Sequence, residues 1–495
     1  MAPIHPLSTD PSPDVDLARV RRIHLLGVGG TGMGAFAGLL KQAGYEVTGS
    51  DEAVYPPMSE LLASWGIPAF VGYRPENLDQ VRPDLVIVGN VIRRVNPEAT
   101  AVRERALPQL SFPQALGEIF LAQRQPCVVL GTHGKTTTSA LLTHLLACAG
   151  LDPSALIGGV ALNLAANASE PSAPLGSNFR VGRGRPFVVE GDEYDTAYFD
   201  KGPKFLHYRP EVAILTSVEF DHADIYRDLA HYESAFARFV ALLPPHGHLA
   251  VSAAYPNALA LARAAACPVE SYGLTAGDLQ ARDLAFDERG AHFTAVLKGR
   301  ELARWTLSVW GRHNVENALG AASTCLHLGV PPDAIGAGLS TFLGVRRRQQ
   351  LLGEPDGIAV VDDFAHHPTA VRETLAAVRA RFPGRRVLAL FEPRSNTSRR
   401  NIHQDAYAHA FAGAALALLA TPHRAAQIDE GERLDPSKLA QEIAASGIPA
   451  RHMESADAIL AATLAEAKPG DVVLVMSNGA FGGLCQKLVA ALTVR

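Results

Sequence analysis

The stretch "VVLGTHGKTTTSALL", Val128 to Leu142, sets a lysine and three consecutive threonines behind a glycine-flanked turn. Gly131 and Gly134 allow a ligand to approach the backbone closely, and the N–H groups that open a helix suit phosphate. Lys135 can pair with phosphate oxygens, and the Thr136 hydroxyl can ligate Mg2+. Thr132, His133 and Thr137 complete the loop. The run is more compact than G-x-x-x-x-G-K-[ST], because Val129 stands where that pattern has its first glycine.

Further polar residues follow apolar, strand-like runs. Glu190 closes "PFVVE" and precedes Asp192, Glu193 and Asp195, while Asp221, His222 and Asp224 follow "VAILTSV". A carboxylate and an imidazole beside a phosphate loop can ligate Mg2+ or orient a nucleophile. Nearer the start, Gly27-x-Gly29-x-x-Gly32 follows "IHLL", and Asp51 follows the next strand. That is a diphosphate-binding turn, equally suited to NAD or to a UDP-sugar. Arg346, Arg347 and Arg348 stand in a glycine-flanked charged junction, placed to close on phosphate. Asp363 in "VDDFAHHP" can accept from ribose hydroxyls, and Arg394 in "FEPRSNT" can clamp a carboxylate.

Positioning these groups takes a chain that repeatedly alternates β-branched runs, glycine turns and Ala/Leu-rich helical stretches. Such alternation predicts parallel sheets covered by helices, with ligands beyond the carboxyl ends of the strands. The expected architecture is three consecutive α/β domains. A Rossmann-like domain spans 21–122 and a P-loop ATPase-like central domain spans 123–344, with a small antiparallel annex over 245–310. A Rossmann-like C-terminal domain spans 345–495, and residues 1–20 are expected to form a disordered tail that is no signal peptide.

The 495 residues are 47% hydrophobic and 19% charged with a net charge of −5, so no basic field invites nucleic acid. Five scattered cysteines without a C-x-x-C pair point to neither a disulfide framework nor a zinc site. The longest apolar run, Ala410 to Ala420, falls short of the ~20 residues of a membrane helix. A cytoplasmic protein without membrane insertion is expected.

Taken together and in order, "GVGGTGMG", "GTHGKTTT", "EGDEYD", "DHADIY", "GRHNVEN", "GVRRRQ" and "DDFAHHP" resemble the Mur ligases of peptidoglycan synthesis. The resemblance covers nearly the whole chain and makes the compact loop a family form of the P-loop. It implies an ATP- and Mg2+-dependent ligase that activates a sugar carboxylate as an acyl phosphate, then joins it to an amine.

By the same resemblance, Lys135, Glu190, His222 and Arg348 are catalytic, with Thr136, Glu190 and His222 as metal ligands. Gly131, Thr132, His133, Gly134, Lys135, Thr136, Thr137 and Arg348 would hold the nucleotide, with His313, Asn314 and Asn317 near adenine and Asp363 near ribose. Gly29, Gly30, Thr31, Gly32, Met33 and Asp51 would bind the UDP moiety, and Arg394, Ser395 and Asn396 would face the incoming peptide.

"EYDTAYFDK", "HYRP", "EFDHADIY" and "FEPRSNT" resemble the recycling branch, which joins UDP-N-acetylmuramate to the murein tripeptide L-alanyl-γ-D-glutamyl-meso-diaminopimelate. The L-alanine-adding branch is the alternative, and an NAD-dependent oxidoreductase the alternative of another class. A monomer or weak homodimer is implied. No lysine lies between Lys204 and Lys298, so the carbamylated lysine of several Mur ligases has no counterpart and the second Mg2+ needs other ligands.

Overall fold

The computed structural model describes residues 15–55, 58–167 and 175–494. Most of the expected N-terminal tail, 1–14, lies outside the described residues. Within the rest of it, Val20 is buried and Val15 and Leu17 pack against the first core.

Three sheets follow one another along the chain, as the alternating pattern predicts. The first contains β1 (Arg22–Leu26), β2 (Glu46–Asp51), β3 (Ala69–Val71), β4 (Leu85–Val88) and β5 (Gln109–Ser111), in the spatial order β3-β2-β1-β4-β5 and parallel throughout. Its inner strand β4 is a continuous apolar run, and all four residues of "LVIV" are buried, as helices on both faces require. The strand order reverses between β1 and β4. The glycine turn after β1 therefore opens at the switch point, where ligands settle in such folds.

The central sheet is built from β6 (Gln125–Leu130), β7 (Ser154–Ala165), β8 (Leu175–Arg180), β9 (Pro186–Gly191), β12 (Val212–Leu215), β13 (His248–Ser252), β14 (Val269–Gly273), β15 (Leu279–Asp287), β16 (Gly290–Leu297) and β17 (Arg300–Leu307). A separate hairpin pairs β10 (Asp195–Ala197) with β11 (Asp200–Pro203). The order of the ten is β17-β16-β15-β14-β13-β12-β6-β9-β7-β8.

Here the expected annex needs correction. β13 and β14 within 245–310 pair in parallel with the main sheet, and the antiparallel part begins only at β15. β14 and β15 share only two paired positions, Tyr272 with Leu279 and Gly273 with Gln280, so the meander is a continuation of one sheet.

The third sheet holds β18 (Gln350–Gly353), β19 (Ala359–Asp363), β20 (Val387–Phe391), β21 (Leu416–Ala420), β22 (Ala450–Met453) and β23 (Val472–Met476), ordered β18-β19-β23-β20-β21-β22. Only the edge strand β18 runs antiparallel.

Strand neighbours decide which loops can cooperate. β6 lies between β12 and β9 in parallel register, so the loops leaving all three emerge side by side. β23 lies between β19 and β20 in the same way, which gathers the segments after Asp363, Phe391 and Met476. Among the described residues no helix is long and apolar enough to cross a membrane.

Candidate active site

The loop Gly131–Gly134 joins buried β6 to the helix Lys135–Cys148. Two glycines are dictated by space and backbone together. Gly131 has φ +134°, and a Cβ there would come within 2.3 Å of Thr216 Oγ1. Gly134 has φ +80°, and its Cβ would lie 2.4 Å from Asn317 Oδ1. The loop is therefore pressed between the segment after β12 and the start of the helix Arg312–His327.

Lys135 curls back over this loop. Its Nζ donates to the Gly131 carbonyl at 2.5 Å and to Glu193 Oε1 at 3.0 Å. Burial opposes its charge, but the carboxylates of Glu193 and Glu190 outweigh burial and hold its pKa above the ordinary lysine value. Glu193 has no exposed side-chain surface and also accepts from Tyr232 Oη at 3.2 Å and bonds His222 Nε2 at 2.9 Å. Burial pushes its pKa up, yet Lys135 and His222 override that and hold it at about 2.

Glu190 is the penultimate residue of β9, the strand beside β6. The Thr136 hydroxyl donates to its Oε1 at 3.0 Å, and the Gly158 N–H donates to its Oε2 at 2.8 Å. Burial dominates here and raises its pKa. Arg348 arrives from the C-terminal side, with Nη2 3.4 Å from Thr136 Oγ1 and its guanidinium over the Phe364 ring at 4.8 Å. A hydroxyl and a carboxylate at one spot, with a guanidinium behind them, form a hard oxygen-donor pair of the kind Mg2+ takes.

His222 meets this group through Glu193 rather than through Glu190. It occupies the left-handed region at φ +56°, with its N–H donating to Asp221 Oδ1 at 2.7 Å and the Tyr194 ring 4.1 Å away. Burial lowers the His222 pKa, but Glu193 and Asp221 together raise it above the usual imidazole value.

The arginine run splits into three tasks. The Arg346 N–H donates to Val160 O at 2.9 Å, and Arg347 donates to the carbonyls of Ser477 at 2.6 Å and Gly479 at 2.7 Å. Only Arg348 reaches the phosphate loop. Beneath it, Asp363 accepts from the N–H groups of Gln349 and Ala365, both at 2.7 Å, and from Thr374 Oγ1 at 3.3 Å. Asp363 thus fastens the linker that carries Arg348.

His313 is half-buried against Gln349 at 3.0 Å, and desolvation aided by Arg348 lowers its pKa to about 4. Asn317 donates to Asn314 Oδ1 at 3.3 Å, and Asn314 donates to Trp310 O at 2.7 Å. A neighbouring cavity of ≈ 470 Å³ is lined by His313, Glu219, Tyr255, Arg312 and Glu316.

In the first domain, Gly30 caps the helix Thr31–Gln42, which carries Gly32 and the buried Met33. The Gly29 N–H donates to Asp51 Oδ2 at 2.8 Å, and a Cβ on Gly29 would fall 2.9 Å from that oxygen. Nothing lies within 4 Å of a Cβ built on Gly32, so that end of the turn is open.

In the third domain the loop after β20 leans on the central domain. Asn396 Nδ2 donates to Asp224 Oδ2 at 2.7 Å, and Ala223 N–H to Thr397 Oγ1 at 3.3 Å. Ser395 donates to Ser398 Oγ at 2.8 Å, and the Arg394 side chain fills the space a Cβ on Gly479 would need. Burial first, then the charges of Arg400 and Arg424 and, more weakly, Arg394, lower the pKa of Arg399.

Residue types alone name Glu193 only as one carboxylate in the run after Glu190 and give it no role, although it is the buried hub of the site. They passed over Arg399 and Glu219, which stand in ordinary polar runs. The signal available for Glu193 was its three-residue offset from Glu190 at a strand end.

Three family descriptions match the chain in succession: "Mur ligase family, catalytic domain" over 22–124, "Mur ligase middle domain" over 129–325 and "Mur ligase, glutamate ligase domain" over 347–479. The Escherichia coli (strain K12) protein UDP-N-acetylmuramate–L-alanyl-γ-D-glutamyl-meso-2,6-diaminoheptandioate ligase is 41% identical, over 95% of this chain and 98% of its own. A UDP-N-acetylmuramate–L-alanine ligase of Rubrobacter xylanophilus is 38% identical over 78% of this chain and 80% of its own. The crystal structure of a murein peptide ligase from Psychrobacter arcticus 273-4 superposes with a TM-score of 0.70 at 35% identity, covering 96% of this chain and 99% of the other.

Proposed function

This chain belongs to the Mur ligase family, and from that premise we propose that it is an ATP-dependent amide ligase of peptidoglycan recycling. It joins UDP-N-acetylmuramate to the tripeptide L-alanyl-γ-D-glutamyl-meso-diaminopimelate in the cytoplasm, with domains divided near 122 and 344. The observation that carries this reading is the convergence of Lys135, Thr136, Glu190, Glu193, His222 and Arg348 from three adjacent strand ends and the interdomain linker.

The chemistry needs two anions to meet. A lactyl carboxylate oxygen attacks the γ-phosphorus of ATP, the bond from γ-phosphorus to the bridging oxygen breaks, and ADP leaves. The peptide amine then attacks the acyl carbon, loses a proton, and expels phosphate. Lys135 and Arg348 supply positive charge where the transferring phosphoryl group gathers negative charge. Thr136 and Glu190 would hold Mg2+, which supplies further charge neutralisation when bound, and His222 flanks that position.

The two-point grip of Glu193 on Lys135 and His222 orients both before substrates arrive. The glycine turn ending at Gly32 would take the UDP pyrophosphate, with Gly29 and Asp51 fixing its shape. Arg394, Ser395, Asn396 and Arg399 would face the peptide, whose carboxylates suit an arginine cluster. Closure of the C-terminal domain excludes water that would hydrolyse the acyl phosphate.

The L-alanine-adding reading has a specific basis in the relative that is 38% identical. The two are separated by phosphate release with ATP, Mg2+ and UDP-N-acetylmuramate, comparing the tripeptide with free L-alanine. The tripeptide should win; faster release with L-alanine would overturn the substrate while leaving the mechanism.

A further inference from the structure

His133 lies inside the phosphate loop, yet its ring is turned toward groups that the phosphate chemistry leaves unused. Its Nε2 is 2.8 Å from Glu219 Oε2, on the segment after β12. Its ring centroid is 4.5 Å from that of His367, which caps the helix Pro368–Arg381 of the C-terminal domain. One ligand atom each from His133, Glu219 and His367 can be chosen so that all three lie within 4.8 Å of one another. His403 adds a fourth side chain: its ring is 4.7 Å from that of His367, and its Nε2 is buried with no hydrogen-bond partner.

We propose that His133, Glu219 and His367, with His403 beside them, form a transition-metal site of the Zn2+ class between the phosphate loop and the C-terminal domain. The donor set decides the class. Imidazole nitrogens with one carboxylate suit Zn2+ and its borderline neighbours, whereas Mg2+ takes oxygen donors. The geometry is within reach of a tetrahedral ion. Bonds of about 2.0–2.1 Å place ligand atoms roughly 3.3 Å apart, so the His133–Glu219 pair, now at 2.8 Å, opens slightly while the wider separations, at most 4.8 Å, close by an ångström or so.

An outer hydrogen bond is already present, because Thr369 Oγ1 donates to Glu219 Oε1 at 3.3 Å, an arrangement that fixes a ligating carboxylate. Access is open as well: a cavity of ≈ 480 Å³ is lined by Glu219, His367, His403 and His409. The site shares no residue with the oxygen-donor pair Thr136 and Glu190. An ion held here ties the loop that binds phosphate to the domain that must move, so it would act as a clasp on closure. Metal binding itself does not depend on the ligase reading.

The test is calorimetric titration of ZnCl2 into the tag-free, chelator-treated full chain in excess Mg2+, repeated with Co2+ to read the visible absorption of an imidazole-bound ion. One ion per chain is expected. His367→Ala and Glu219→Gln should each weaken it at least about tenfold, with circular dichroism confirming that each variant is folded. Glu190→Gln should leave the affinity unchanged. Failure to bind one ion in excess Mg2+ would overturn the proposal. So would binding that His367→Ala and Glu219→Gln leave intact, or that Glu190→Gln abolishes.

Discussion

The Lys135 ammonium and the Glu193 carboxylate are paired at 3.0 Å, with the carboxylate wholly out of solvent. The lysine that would grip the γ-phosphate is therefore held by a buried anion, which also holds His222. Removing either partner leaves a buried charge unmatched, and the consequences differ on the two sides.

Lys135→Ala removes the cation proposed to face the transferred phosphate. Turnover should fall by about 10²-fold or more, the scale of losing one electrostatic stabiliser of a transition state. Affinity for UDP-N-acetylmuramate should not change, because that sugar is assigned to the glycine turn after β1. Steady-state phosphate release and equilibrium binding of the sugar separate the two effects.

Glu193→Gln should cost about 3–5 kcal/mol of stability by breaking a buried pair. The acid profile gives the sign. Glu193 has a folded pKa of about 2 against an ordinary value of 4.5. Its contribution is thus fully present above pH 4.5 and is lost as pH falls toward 2, because the unfolded chain binds the proton first. That window is worth about 3 kcal/mol, and denaturant unfolding from pH 5 to pH 2.5 should show a flatter slope in the variant.

Gly134→Ala places a Cβ 2.4 Å from Asn317 Oδ1 at a backbone angle that side chains resist. ATP affinity should drop about tenfold or more while the sugar still binds, since local strain of 1–3 kcal/mol falls on the phosphate loop alone. Gly29→Ala should do the reverse, pushing Asp51 away and sparing ATP. Isothermal titration of both ligands against both variants checks the crossed pattern.

Arg399→Ala should raise KM for the tripeptide about tenfold, the loss of one charge-assisted hydrogen bond. Any weak use of free L-alanine, which lacks the distal carboxylates, should be unaffected. Competition kinetics with the two amines reads this directly.

The strand ends were well marked in the sequence, because the apolar runs of β9, β12, β19 and β20 give way to Glu190, Thr216, Asp362 and Glu392, and that of β6 to Gly131. The sequence carried the spatial order poorly. Nothing local says that β6 lies between β12 and β9, which brings Glu193 under Lys135. Within 245–310 the antiparallel annex is present but starts only at β15, because the short strands β13 and β14 carry no local mark of the parallel pairing that joins them to β12 and the main sheet. Likewise three adjacent arginines look equivalent until backbone angles divide them: Arg347, at φ +59°, turns to the third domain, while Arg348 faces the phosphate loop.

The most direct check on activation of the sugar acid follows an oxygen atom. UDP-N-acetylmuramate labelled with oxygen-18 in its lactyl carboxylate is turned over with ATP and the tripeptide, and the released phosphate is examined by mass spectrometry. Attack of that carboxylate on the γ-phosphorus delivers one labelled oxygen to every phosphate formed. Unlabelled phosphate at full amide yield would contradict the account.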